Sequence, residues 1–531
     1  MSAAPRAIAP VRVKPRHNPW AIALTVTMAT FMEILDTSIA NVSLPHIAGG
    51  LSSSVDESTW ILTAYLVANA IVLPISAWIT GRVGRKRFYM TCVALFTASS
   101  FLCGIAPSLT VLICARVMQG AGGGGLQPSE QAILSDTFPP EKFGMAFAVY
   151  GMAVVLAPAI GPTLGGFITD NFSWRWIFFI NVPVGLISLL LTYRMVDDPP
   201  YMNAASQAAA RKQSVDYIGL GLIALGLGCL QVVLDKGQED DWFQSHFIAI
   251  LSVIAVAALL IFVLWEWRQQ HPILDLKLFR SRSFAIAALM MFVLGVVLYG
   301  STTLLPLFLQ ELLGYTAQLS GFVLSPGALA ILVLMPVVGT LIGRFEARWL
   351  AGIGFAISAL ALFHMCGLDL KIDFRTAMMY RIYQSVGLAF LFIPINTAAF
   401  ASATGENSNQ ISSLANLFRN IGGSVGISMC ATLVARRSQI HQDTLARHIT
   451  NYDGQFRSMR DGLSTNLSHS GFSQPDALHQ SLGRIYGMVQ QQAAAQAYID
   501  TFWLLAVACL CMLPLVLLMG RNDPHKAMTA H

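Results

Sequence analysis

The chain has 531 residues, 55% of them hydrophobic and only 11% charged, with a net charge of +5. So little charge cannot cover a soluble protein of this size, and basic residues scattered through short segments exclude a nucleic-acid-binding face, which leaves a polytopic membrane protein. All eight cysteines fall within apolar runs, in no spacing that fits a disulfide framework or a metal site.

Predominantly apolar runs long enough to cross a bilayer lie at 20–44, 57–80, 88–107, 109–131, 143–169 and 175–195, then at 214–234 and 245–267, and finally at 284–308, 318–343, 348–368, 374–400, 411–435 and 497–520. These predict fourteen transmembrane helices, since a lipid-exposed backbone must satisfy its own hydrogen bonds. The implied organisation is an N-terminal tail at 1–19, a six-helix bundle at 20–195, a linker with two inserted helices at 196–267, a second six-helix bundle at 268–521, and a C-terminal tail at 522–531. Arg6, Arg12, Lys14 and Arg16, then Arg82, Arg85, Lys86 and Arg87, then Arg268, Lys277, Arg280 and Arg282 all fall on one side of such a bundle. The short loops of the other side carry Arg175, Lys236, Lys371 and Arg375. This asymmetry predicts that both termini are cytoplasmic. The first run is too long for a signal peptide and carries two acids, so it reads as a retained helix.

Those two acids, Glu33 and Asp36, stand in the stretch ATFMEILDTSIANVSLP. A charge near the bilayer centre costs about 2.5–3.5 kcal/mol on insertion scales, so Asp36 needs a partner or a task. At 1.5 Å per residue it lies about 24 Å from the inner face, and Arg116, entering from outside, about 10 Å from the outer face. Across a core of about 30 Å the two can meet between the first and fourth spans. Two roles fit: a proton-coupling carboxylate whose surroundings alternate between states, or an ion pair pinning helix packing. Glu33, one turn from Asp36, is a candidate second proton or cation site, or a polar lining residue. The polar residues Tyr65, Asn69, Gln127, Tyr299, Gln310 and Asn396 are candidates for substrate hydrogen bonds in a central cavity, the other reading being interhelical bonds. The loop Gly81, Arg82, Gly84, Arg85, Lys86 fits a gate, or simply topology and anionic lipid. Pro158, Gly161, Pro162, Gly165 and Gly166 predict a bent, closely packed fifth helix.

An internal repeat relates the halves. Arg116, Gln119 and Pro128 recur as Arg381, Gln384 and Pro394 at an offset of 265 or 266, and Gly81–Arg82 as Gly343–Arg344 at 262. The repeat position of Asp36 falls near Gly300, where there is no acid, so the coupling chemistry concentrates in the first half. Arg381 and Arg419 remain intramembrane bases without an evident acidic partner, and three roles fit them: lining the central cavity, attracting anionic groups, or bonding backbone carbonyls. The one long polar stretch, 436–496, has a soft periodicity of short amphipathic helices and reads as a mobile loop or a docking surface.

In its motifs LDTSIANVSLP, GRVGRKRF, RVMQG and APAIGPTLGG the chain resembles the EmrB/QacA-type fourteen-helix drug:proton antiporters of the major facilitator superfamily. It departs from them at Gly81, where the loop motif usually carries an acid, and at Ala157, where glycine is common. The resemblance implies an all-helical fold and proton-driven export of hydrophobic drugs by alternating access. It also implies protons as the only coupling species, a bacterial inner-membrane location, and partnership with a periplasmic adaptor and an outer-membrane channel. A proton-coupled exporter or importer of a specific metabolite would share the fold. No nucleophile–base set or HExxH-like cluster points to an enzyme.

Overall fold

A computed structural model describes residues 17–139, 142–202, 215–269, 272–402, 407–450 and 452–519. Most of the expected tails, 1–19 and 522–531, and much of the linker after residue 202 lie outside the described residues. Everything long and regular within them is helical.

The first half comprises α1 (Pro19–Val42), α2 (Leu44–Gly50), α3 (Val55–Val83), α4 (Arg85–Gly104), α5 (Leu109–Gly123), α6 (Leu126–Thr137), α7 (Phe143–Asn171), α8 (Trp176–Phe179) and α9 (Asn181–Met195). Local chemistry sets these ends. Asn18 caps α1 ahead of a proline at its first position, and Ser54 with Glu57 forms a reciprocal capping box on α3. Gly84, at φ 95°, makes the tight turn between α3 and α4. Helices α10 (Tyr217–Lys236) and α11 (His246–Arg268) pack on each other as the inserted pair. The second half comprises α12 (Arg282–Leu307), α13 (Ala317–Leu341), α14 (Ala347–Met365), α15 (Phe374–Ala399), α16 (Ser408–His448), α17 (Gly454–His469) and α18 (Gln474–Val516).

Thirteen helical segments among the described residues are long and apolar enough to cross a membrane, with α5–α6 and α8–α9 each counted as one. The remaining expected span, 88–107, is α4, whose Arg85, Lys86 and Arg87 and internal Thr and Ser make it less apolar than the rest. The two bundles meet chiefly where α7 runs along α13 and where α16 packs on α3 and α6. The inserted pair straddles that seam. Asp235 accepts from Thr63 of α3, Gln231 accepts from Ser424 of α16 at 3.0 Å, and Trp242 donates to Thr432 of α16 at 3.1 Å.

The 436–496 stretch holds one short helix of the kind its periodicity suggests, α17, and the flanking helices run on into it. Helix α16 continues unbroken to His448, and α18 begins at Gln474, so both run well past their apolar spans. At 1.5 Å per residue each exceeds about 60 Å, roughly twice a hydrocarbon core. Between them α17 packs on α18 around Leu467, Ala477 and Ile485. Runs such as QQQAAAQ are strong helix formers, so the spans extend wherever polar side chains meet water instead of lipid.

Candidate functional site

Asp36 is 2% exposed and sits where α1, α5 and α9 converge. Arg116 Nη1 donates to its Oδ2 at 2.6 Å, Gln119 Nε2 to its Oδ1 at 3.0 Å and Asn181 Nδ2 to its Oδ1 at 2.6 Å. Gln119 also accepts from Arg116 at 2.7 Å and donates to Ser100 at 2.7 Å, which fixes the amide's orientation. The guanidinium bonds the Ile61 carbonyl through Nε and lies over the Tyr65 ring at 4.4 Å. Asp36 and Arg116 thus meet where their depths along the two helices bring them level. The carboxylate is desolvated yet held by three donors from two other helices, an arrangement in which adding or removing one proton rewrites several interhelical bonds at once.

Glu33 belongs to a second cluster. Tyr65, Asn69 and Gln127 all donate to it, at 3.1, 3.2 and 2.7 Å. A Cβ at Gly123 would lie 2.7 Å from the Tyr65 hydroxyl and 3.3 Å from Glu33 Cγ, so the glycine run of α5 makes the space these groups occupy. Three residues expected to meet substrate independently therefore form the shell of one carboxylate. From there the network crosses between halves. Arg419 donates to Gln127, to Tyr150 at 2.8 Å and to Asn416 at 2.7 Å. Gln131 accepts from Asn416 at 2.8 Å and donates to Asn396 at 3.2 Å. Arg419 has no carboxylate among these partners and reaches Glu33 through Gln127. Tyr299 lies against Gly423 of α16, and Gln310 is half-buried in a wide turn at the end of α12.

Arg381 repeats the Arg116–Gln119 bond without the acid. Its Nη1 donates to Gln384 at 2.7 Å and its Nη2 to Thr302 at 3.2 Å. Thr302, not Gly300, is therefore the counterpart of Asp36; Gly300 instead faces Cys430 of α16.

The basic loop closes one end of the seam. Arg85, 2% exposed, pairs with Asp136 and donates to the Ala132 carbonyl at 3.0 Å, to Tyr201 at 2.8 Å and to Ser408 of the second half at 3.3 Å. Asp136 of α6 is thus the acid paired with Arg85 of this loop. Lys86 bonds the Asp198 carboxylate through its backbone and the Tyr193 carbonyl through Nζ, and Arg82 lies over Trp78. Outside the membrane spans, burial pushes the Tyr201 hydroxyl up to about 12, so it stays a protonated donor at neutral pH.

Helix α7 runs unbroken through both prolines. Pro162 has no N–H for the Pro158 carbonyl, and Ser38 of α1 donates to that oxygen instead, at 3.3 Å. A Cβ at Gly161 would run into the Ser38 side chain and one at Gly165 would come within 3.1 Å of Ile39, whereas one at Gly166 would meet nothing within 4 Å. Close approach to α1 thus uses Gly161 and Gly165, not Gly166.

Sequence reasoning missed Asn181, Glu130, Gln131, Asp136, Tyr150 and Asn416. Glu130 is fully buried and accepts from Thr27 at 2.5 Å. Its signal is present in the sequence, an acid beside Pro128 at the edge of a span, but the apolar run stops at residue 131, whereas α6 continues to Thr137.

Two packed helical bundles with buried charged networks along their seam define a membrane transporter. The Major Facilitator Superfamily pattern matches residues 26–427, and the chain belongs to that family, in its EmrB-type branch. It is 36% identical over 497 residues to the multidrug export protein EmrB of Haemophilus influenzae, covering 93% of this chain and 94% of the relative. It is 35% identical over 495 residues to the fatty acid resistance protein FarB of Neisseria gonorrhoeae, covering 93% and 95%. Among solved structures it resembles the human organic anion transporter MFSD10, with a TM-score of 0.59 at 11% identity, covering 94% of this chain and 100% of that one, a likeness of fold.

Proposed function

We propose that this chain is a proton-driven exporter of hydrophobic or amphipathic compounds that works by alternating access. The observation that carries the reading is the buried Asp36, held by Arg116, Gln119 and Asn181 and two residues from Ser38, whose hydroxyl bonds the freed carbonyl of α7. Protonating Asp36 removes the charge that Arg116 faces and loosens α1 from α5 and α9. Through Ser38 and Gly161 the change reaches α7, and α7 packs along α13 of the other half. Each proton moving inward through about 100 mV supplies about 2.3 kcal/mol for that cycle. Export, and breadth of substrate, rest on the relatives whose names denote multidrug export.

On the same reading the protein sits in a bacterial inner membrane with both termini cytoplasmic. It hands substrate to a periplasmic adaptor and an outer-membrane channel, with the 436–496 helices as the adaptor contact. The testing experiment is accumulation of a panel of fluorescent and antibiotic compounds in cells with and without the protein, each with and without an uncoupler. Lower accumulation that the uncoupler abolishes is expected, and accumulation unaffected by the protein contradicts the proposal. An adaptor that still co-purifies after 452–472 is deleted would exclude α17 from the contact.

A further inference from the structure

The two halves hold the same arginine–glutamine pair one helical turn apart, and only one of them is filled. In the first half, Arg116 and Gln119 together grip the Asp36 carboxylate, one oxygen each. In the second, Arg381 and Gln384 repeat the internal bond at the same 2.7 Å, and Thr302 stands where the acid would be. Both residues are buried, Arg381 at 1% exposed and Gln384 fully. Yet Arg381 Nε and Gln384 Nε2 have no hydrogen-bond partner among the described residues, whereas in the filled pair Arg116 Nη2 lacks one but Gln119 Nε2 is bonded. A guanidinium carries five N–H donors and an amide two; the unused Gln384 Nε2 is the counterpart of the donor by which Gln119 holds Asp36, and the unused Arg381 Nε that of the donor by which Arg116 bonds the Ile61 carbonyl. Buried donors left unpaired are costly, and a cationic pair unpaired is costlier still.

The contacts around the two pairs correspond as well. Gly120 packs on the Tyr65 backbone in the first half, and Ser385 packs on Gly327 in the second, at offsets of 265 and 262. The Tyr65 ring that covers Arg116 is therefore replaced by a glycine beside Arg381, so no aromatic ring caps this guanidinium from that position. Thr302, at the edge of the site, is partly exposed and marks its mouth. Helix α13 lies close over the Arg381 stem at Gly327, so the site is closed in this conformation and admits a ligand when α13 or α12 draws back.

We propose that Arg381 and Gln384 form a subsite for the carboxylate of an amphipathic substrate, the ligand's acid taking the place that Asp36 occupies in the first half. Surrounded by apolar spans, the pair favours a carboxylate carrying an apolar tail over a small hydrophilic anion. The inference rests on reading the chain as an exporter of amphipathic compounds and names one class among them.

The test is binding to the full-length protein in detergent, with dansyl-labelled undecanoic acid and its primary amide as probes. The acid should bind at least about tenfold more tightly than the amide, the scale of one charge-assisted hydrogen bond. Arg381→Gln should bring that ratio to near unity. Thr302→Asp keeps the arginine and supplies an internal carboxylate, so it should also abolish the preference for the acid, and it guards against a folding defect in the first variant. Equal affinities in the wild type, or a preference that persists in Thr302→Asp, would overturn the subsite and leave water as the occupant. Export of the amide with no acid preference removes this inference alone; export of neither probe nor of any compound in the wider panel removes the exporter reading.

Discussion

Replacing Arg116 with leucine should be among the most damaging single changes in the first half, and replacing Asp36 as well should recover part of the loss. Arg116 is fully buried and its partner carboxylate 1% exposed, so Arg116→Leu leaves a buried charge facing only the amides of Gln119 and Asn181. Breaking a buried pair from one side costs about 3–5 kcal/mol. Asp36→Asn strands the guanidinium with Gln119 and the Ile61 carbonyl and should also destabilise. The double variant removes both charges while the new carboxamide keeps hydrogen bonds to its neighbours, so the two losses should fall short of additivity by about 2–3 kcal/mol. Unfolding by SDS titration in bicelles, followed by labelling of the buried thiols Cys92, Cys103, Cys430 and Cys509, reads all four corners of the cycle. Additivity within about 0.5 kcal/mol would mean that the two groups do not form a coupled pair and would refute the reasoning.

Gly161→Ala should destabilise by about 1–3 kcal/mol, because its Cβ meets Ser38 in a packed α1–α7 contact. Gly166→Ala, in open space on the same helix, should be neutral or stabilising by up to about 1 kcal/mol in the same unfolding assay. Equal losses at the two positions would contradict the assigned face. Arg85→Gln should loosen the seam that its bond to Ser408 crosses, and free the Asp136 and Tyr201 partners that orient it. A cysteine placed at the buried Ser412, which bonds the Pro128 carbonyl across that seam, should then react at least about tenfold faster with maleimide, the rate change for about 1.4 kcal/mol. An unchanged labelling rate would mean that Arg85 does not hold the halves together.

The parts of this architecture that were legible in the sequence are those carried by rare residues in a uniform background. In a chain of apolar runs an acid at residue 36 and a base at residue 116 stand out, and helical rise alone puts them at one depth. The repeat of Arg and Gln at a fixed offset marked the two halves for the same reason. Uncharged polar residues gave no such signal. Asn181 and Asn416 are indistinguishable by composition from surface asparagines, and only the packing of α9 brings Asn181 to Asp36 and that of α16 on α6 brings Asn416 to Gln131. Asp136 was hidden because it lies beyond the apolar edge of its span, where hydropathy stops reporting although the helix does not. The same blindness shortened α16 and α18, whose outer turns are polar and helical at once.

The central claim is that a proton on Asp36 drives export. Reconstituted wild-type protein and Asp36→Asn, in proteoliposomes with an imposed pH gradient, should be compared for uptake of a fluorescent substrate into inside-out vesicles, with and without an ionophore that collapses the gradient. The account predicts gradient-dependent uptake by the wild type and none above the no-gradient level by Asp36→Asn, with the variant folded and still binding substrate. Gradient-driven uptake by Asp36→Asn equal to that of the wild type would contradict it and make the buried ion pair a packing device.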